Sequence, residues 1–366
     1  MNSRERVFKA FRKMDGNPDR VPIQFDFCRQ LTESFGRKLG IEPDYALSYY
    51  EDLTYRISAN EIRTRIGSDV VVVGGTVPYG YTPEHVHGNI TRNEFGMHMM
   101  PTPLYVEVVK CPLENAMTVS DIENYSFPDA YAKGRFDKAS RDIARYAREY
   151  FVIGDVEISL FELAWHLTGL EKYMVGMLCE EPWLNLLNDR VEEWSTGLAL
   201  QLVNAGVDAI WLGEDLGSQT STLISPDDWR TMFKPRHKRM IDRLRRENPN
   251  IIVIMHSDGA VAPLIDDFIE IGIDVYNPVQ PNVSGSDPQE LKDKYGDRIS
   301  FFGGIDQQSL LPSGDIKKIR AEIIERITIL GKNRGYLLAP AHILQPDVST
   351  NTIEFMIKTA IDFGSY

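Results

Sequence analysis

The sequence predicts a single α/β domain folded as a (β/α)8 TIM barrel, and three observations carry that expectation. Eight short apolar, β-branched runs recur in order, most of them followed by an amphipathic stretch of helical period. Most of the runs lack polar alternation, as expected of parallel strands covered on both faces. Acidic, amide and imidazole side chains gather just past the C-terminal ends of the runs, where barrels of this class carry their active sites. A doubly wound sheet in two domains is the competing architecture. No Ser/Gly/Pro linker marks such a split, however, and no GxGxxG follows the first run.

The opening MNSRERVFKAFRKM reads as an amphipathic helix capped by Ser3, with no apolar signal-peptide core. The expected strands are 21–27 (VPIQFDF), 69–75 (DVVVVGG), 151–157 (FVIGDVE) and 209–214 (AIWLGE). They continue with 251–256 (IIVIMH), 273–277 (IDVYN), 299–303 (ISFFG) and 336–341 (YLLAPA). Between them, 182–205 carries a long apolar stripe ending at Gly206, a natural C-cap. Ser225-Pro226-Asp227-Asp228 has the form of an N-cap, a first-turn proline and first-turn acids opening a helix to about Arg246. Segments 261–271, 287–295, 315–330 and 349–363 behave as helices too. One interval is too long for a simple connection: 76–139, whose Gly, Pro and Asn punctuation suggests hairpins. It leaves from the C-terminal end of the second strand, so it is placed to cover the mouth, and long βα loops are usually functional.

Composition narrows the partners. With a formal charge of −13 the chain offers no basic stripe for nucleic acid or an anionic membrane. No run reaches the length of a membrane span. Cys28, Cys111 and Cys179 lie far apart with no CxxC pair, which points to a reducing cytoplasm rather than a disulfide framework.

At the strand ends stand Asp26, then Asp155 and Glu157, Glu214-Asp215, His256-Ser257-Asp258, Asn277 with Gln280, Asp306-Gln307, and His342. His256 and Asp258 are two residues apart and face one way in an extended chain, and His342 comes from across the barrel mouth. Two imidazoles and a carboxylate suit zinc or another divalent first-row metal, with Glu214 as a possible fourth ligand. The competing reading makes Asp258-Gly259 a turn and leaves both histidines to hydrogen-bond substrate. Asp26 and Glu157 are candidate acid–base groups if burial raises them, or else partners that hold a histidine or arginine. Tyr79 and Tyr81 are candidate substrate-stacking rings. His85-x-His87 and His166 read as a polar loop pair and a packed histidine.

Four segments resemble the uroporphyrinogen decarboxylase superfamily: SRERVFKAFRKMDGNPDRVPI, GEDLGSQTSTLISPDDWRTMFKP, GGIDQQSLLPSGD and LAPAHILQPDVSTNTIEFMIKTA. Together they run from Ser3 to the final helix. The resemblance implies a (β/α)8 barrel with one of three chemistries: porphyrinogen decarboxylation, corrinoid-linked methyl transfer, or that of the zinc domain of cobalamin-independent methionine synthase. The decarboxylase pattern is matched by His342 and Asp258-Gly259, but its RQAGR loop reads CRQLTES, so only Arg29-Gln30 survives. Its essential aspartate falls near Gly74-Gly75, where no acid stands. The methyltransferase pattern, His-x-Cys plus a late Cys on zinc, aligns with His256, Asp258 and His342. Both thiolates are replaced by harder ligands, which leaves zinc, iron or manganese open.

By resemblance the chain is therefore expected to be a metal-dependent methyltransferase, nearer that branch than true uroporphyrinogen decarboxylase. It would pass a methyl group from a small donor to a corrinoid protein or thiol. Arg29, Tyr79, Asp215, Asn277, Gln280 and Asp306 are the expected substrate-binding residues, and Asp26, Glu157 and His342 the catalytic ones. The alternative is a cofactor-free decarboxylase of a porphyrinogen or small acid. A homodimer is expected by analogy.

Overall fold

A computed structural model describes residues 1–366. Seven parallel strands form one curled sheet, hydrogen-bonded side by side in chain order. They are β1 (Val70–Gly74), β6 (Phe151–Val156), β7 (Ala209–Gly213), β8 (Ile252–His256), β9 (Val275–Val279), β10 (Ser300–Ile305) and β11 (Tyr336–Pro340). The fold is thus α/β and TIM-barrel-like. No helix is long and apolar enough to cross a membrane.

The first expected strand, 21–27, is an extended segment between the two sheet edges rather than a regular strand. It meets β11 through the parallel bridge Ile23–Leu338, and Phe27 bridges Leu344 just beyond. On the other side the Asp69 N–H donates to the Ile23 carbonyl. The ladder is broken for a local reason: Pro22 has no N–H to give, and the Ile23 N–H is taken by the Asp69 carboxylate at 2.8 Å.

Two apolar cores follow from strand alternation. Val70, Val72, Phe151, Ile153, Ala209, Trp211, Ile252 and Ile254 point inward and fill the barrel. Their neighbours, such as Val71, Val152, Ile210, Leu212 and Val253, point out into the helix layer. Below the barrel, helix Ser3–Ala10 stoppers the strand starts, with Phe8 and Phe11 both edge-on to Phe151. Asp69, Asp208 and Asp274 at those starts pair with Arg6, Arg4 and Lys13. Asn2, not Ser3, caps this helix by accepting from Glu5 N–H; the Ser3 hydroxyl is drawn to Asp69 at 2.7 Å instead.

Helix Pro182–Ala205 ends at Gly206 with φ 99°, the left-handed cap its sequence signals. Ser225 caps the next helix, but the expected single helix is two, Pro226–Met232 and Lys234–Glu247. Pro235 in the first turn of the second cannot donate to the preceding turn. Within 76–139 lie β2 (Glu84–His87), β3 (Ile90–Arg92), β4 (His98–Pro101) and β5 (Val106–Lys110), an antiparallel sheet of their own in that order.

Candidate metal and substrate site

The inward stripe of each strand turns polar at its C-terminal end. Asp155 and Glu157 continue the stripe of β6, Asp215 that of β7, His256 and Asp258 that of β8, and Asn277 that of β9. His256 is in register with Gly213 on one side and Asn277 on the other. Its ring stacks on Trp211, with centroids 5.2 Å apart.

His256 Nδ1 lies 2.6 Å from Asn277 Oδ1. An amide oxygen only accepts, so Nδ1 carries the proton and the Nε2 lone pair faces the mouth. Nε2 is 3.7 Å from both Glu157 Oε1 and Asp215 Oδ1, beyond hydrogen-bond length. Ligand atoms of Asp215, His256 and Asp258 lie within 4.8 Å of one another. Asp258 Oδ2 is 3.6 Å from His342 Nε2, and Asp258 Oδ1 is buried without a hydrogen-bond partner. A free imidazole lone pair, an orphaned carboxylate oxygen and a second imidazole fit a divalent cation accepting nitrogen and oxygen donors. The residues that could hold it are His256, Asp258, Asp215 and His342.

Glu214 does not join them. Its position has the outward parity of Ile210 and Leu212, and its buried carboxylate accepts from Ser159 Oγ at 2.7 Å and faces His237 Nε2 at 3.2 Å. Asp215, one residue on, stands where Glu214 was expected, its Oδ1 3.7 Å from His256 Nε2.

Beneath His256 runs a buried charge network. Arg56 donates to Asp26 at 3.0 Å and to Glu157, and its guanidinium lies 4.4 Å from the Trp211 ring centroid. Arg63, wholly buried, donates to Asp26 and to Asn60 at 2.7 Å. Burial pushes the Asp26 carboxyl up, but Arg63 and Arg56 outweigh it and hold it below the ordinary range. Asp26 is therefore held as an anion between two arginines. Glu157 is lowered likewise, burial being overcome by Arg56 and His256. Asp155, 3.7 Å from Arg56, goes the other way: burial, with Glu157 and Asp26 nearby, raises it to about 7. Burial and Asp258 raise Asp215 to about 6. Burial opposes the His256 imidazolium, yet Glu157, Asp258 and Asp215 raise it overall.

The mouth holds a cavity of about 200 Å3 lined by Tyr105, Asp258, Gln280, Asp306, Gln307, Gln308 and His342. Gln280 Oε1 accepts from Gly259 N–H at 2.7 Å, which leaves its amide N–H2 for the cavity. Asp306 is spent mainly as a cap, accepting from the Gln308 and Ser309 N–H groups and from Asn282, which lowers its carboxyl despite burial. Two expected substrate contacts lie elsewhere. Arg29 is exposed, paired with Glu33 four residues on and stacked over Tyr45. Tyr79 is exposed and donates to Asp137. Neither side chain lines the cavity. His166 is packed, as expected, against Tyr49 and Trp165, and burial lowers it to about 3. His85 and His87 are on β2, where His85 is bound to the Gly88 carbonyl.

Arg56, Arg63, Glu162 and Tyr105 were not foreseen. Arg56 and Arg63 precede β1 in a stretch with no strand-end signal. Glu162 opens helix Phe161–Thr168, and burial with Asp215 and Glu157 close by raises its carboxyl well above the usual range. Tyr105 comes from the loop between β4 and β5, which pattern reading could not bring to the mouth.

A uroporphyrinogen decarboxylase (URO-D) family model matches residues 105–363. Curated relatives include uroporphyrinogen decarboxylase of Trichodesmium erythraeum, 26% identical over 51% of this chain and 49% of the relative. That of Chlorobium limicola is 24% identical over 55% and 56%. The matches thus span about half the length of these relatives. Among solved structures, a methyltransferase from Methanosarcina mazei superimposes with a TM-score of 0.74 at 18% identity, covering 99% of both chains. That likeness shows a shared fold.

Proposed function

This chain belongs to the uroporphyrinogen decarboxylase family, and on that premise we propose that it is a metal-dependent methyltransferase passing a methyl group from a small donor to a corrinoid protein or thiol. One observation carries the reading: at the heart of the mouth, His256 presents an unused lone pair beside an orphaned buried oxygen of Asp258. A cation between them would satisfy both at once. His256, Asp258, Asp215 and His342 would hold the metal, zinc being the donor set's natural occupant. When bound, such an ion acts as a Lewis acid on the atom bearing the methyl group.

The chain's own residues do the rest. Asn277 fixes the His256 tautomer, and Arg56 holds Glu157 ionised at the edge of the site, where it would accept a proton. Gln280, Gln307 and Gln308 would orient the donor. The 76–139 excursion, whose Tyr105 reaches the cavity wall and whose Pro103 carbonyl accepts from Gln30, would close over it.

The alternative, a cofactor-free decarboxylase of a porphyrinogen or small acid, has the names of the curated relatives in its favour. It meets a cavity without arginine or lysine, and a glycine, Gly74, where that chemistry's aspartate is expected. Elemental analysis separates the two readings. The purified protein should carry about one equivalent of divalent metal, lost in His256→Ala. Full methyl-transfer activity after joint substitution of His256 and His342 would sink the proposal.

A further inference from the structure

The cavity walls say what charge the donor carries. Each cation near the site is already committed. Arg56 is bound by Asp26 and Glu157, and Arg63 by Asp26, Asn60 and the Arg56 carbonyl. Arg29 is turned to solvent with Glu33. No lysine or arginine lines the cavity, whereas Asp258 and Asp306 both do, with Asp215 and Glu157 bordering His256. A divalent ion on Asp258 and Asp215 would cancel those two charges and leave Asp306 uncompensated, so even the loaded cavity has no positive wall remote from the ion.

The groups left to meet a ligand are neutral. Gln307, Gln308 and the Tyr105 hydroxyl line the cavity without side-chain hydrogen bonds inside the protein, and Gln280 has a free amide N–H2. Without the ion, a carboxylate buried there would be desolvated against anions with no lysine or arginine to pair with it, a costly arrangement. An alcohol or an ammonium group would find acceptors and donors in place. The volume, about 200 Å3, equals that of roughly seven liquid waters.

We infer that the mouth selects small polar methyl donors that are neutral or cationic, and rejects carboxylates of the same size. This rests on the mouth being the donor site, as proposed above. It concerns the ligand's charge, and it can fail while that reading stands.

The test uses three matched methyl ethers: 3-methoxypropan-1-ol, 3-methoxypropylamine and 3-methoxypropanoate. Their affinities are measured by calorimetry on the full chain, with metal removed. In the metal-free protein the alcohol and the amine should bind at least about tenfold tighter than the carboxylate. Gln307→Arg places a cation on the wall and should raise carboxylate affinity about tenfold, with little change for the alcohol. Equal or tighter binding of the carboxylate by the metal-free wild type overturns the inference, as does failure of all three to bind. Loss of the metal itself, or absence of methyl transfer from a donor that binds, counts against the methyltransferase reading and leaves the charge preference intact.

Discussion

Replacing Asp26 with asparagine probes the charge network on which His256 rests. The substitution keeps the side chain's shape and removes one negative charge from between two buried guanidiniums. In the wild type Arg56 and Arg63 face Asp26 and Glu157, two charges against two. Asp155 adds only part of a third negative charge at pH 7, because burial raises its carboxyl to about 7. Asp26→Asn leaves one cation uncompensated, and breaking a buried pair from one side costs roughly 3–5 kcal/mol. Asp155 offers partial relief: it is 3.7 Å from Arg56, and loss of the Asp26 anion favours its ionisation. The expected loss is therefore at the lower end, about 3 kcal/mol, a large part of the roughly 5–15 kcal/mol that stabilises a typical protein. Urea unfolding at pH 7, followed by tryptophan fluorescence, reads it directly. The double variant Asp26→Asn/Arg63→Met restores the balance and should recover at least about 1 kcal/mol of the loss. A single-variant loss under about 1 kcal/mol, or a double variant weaker than the single, would refute the reasoning.

Asn277→Ala frees His256 Nδ1 and should weaken metal binding about 10- to 100-fold, as loss of such supporting partners does; competition with a chromogenic chelator measures it, and unchanged affinity contradicts the tautomer argument. Asp155 makes stability depend on pH with a definite sign. Its folded carboxyl, raised to about 7 by burial, holds its proton more tightly than the unfolded chain does, so its contribution falls as pH climbs from about 4 to about 7. The slope is at most about 1.4 kcal/mol per pH unit, and Asp155→Asn should flatten it; parallel pH–stability curves for the two proteins would count against this. Finally, Asp215→Asn should lower metal affinity while Glu214→Gln keeps the metal and loses stability, and the reverse pattern would exchange their roles.

That last pair shows where sequence reading succeeded and where it stopped. Seven of the eight strands are legible because a buried parallel strand needs little beyond a short β-branched run, and DVVVVGG or IIVIMH can satisfy nothing else. The eighth, 21–27, is a run of the same kind whose ladder fails because Pro22 and Asp69 redirect its hydrogen bonds, a tertiary event. His256, Asp258 and Asn277 are legible for a related reason: strand ends project into one mouth whatever the loops do. Parity within a strand carries more than was taken from it. Once Trp211 is known to point inward, Asp215 must and Glu214 cannot, so the two neighbours divide between the mouth and the helix layer. The arginines are another matter. Arg56 and Arg63 reach Asp26 from chain 30 and 37 residues away, and no period or spacing marks a guanidinium as buried. These arginines pair with the acids beneath His256, while the cavity itself is lined by amides, carboxylates and His342.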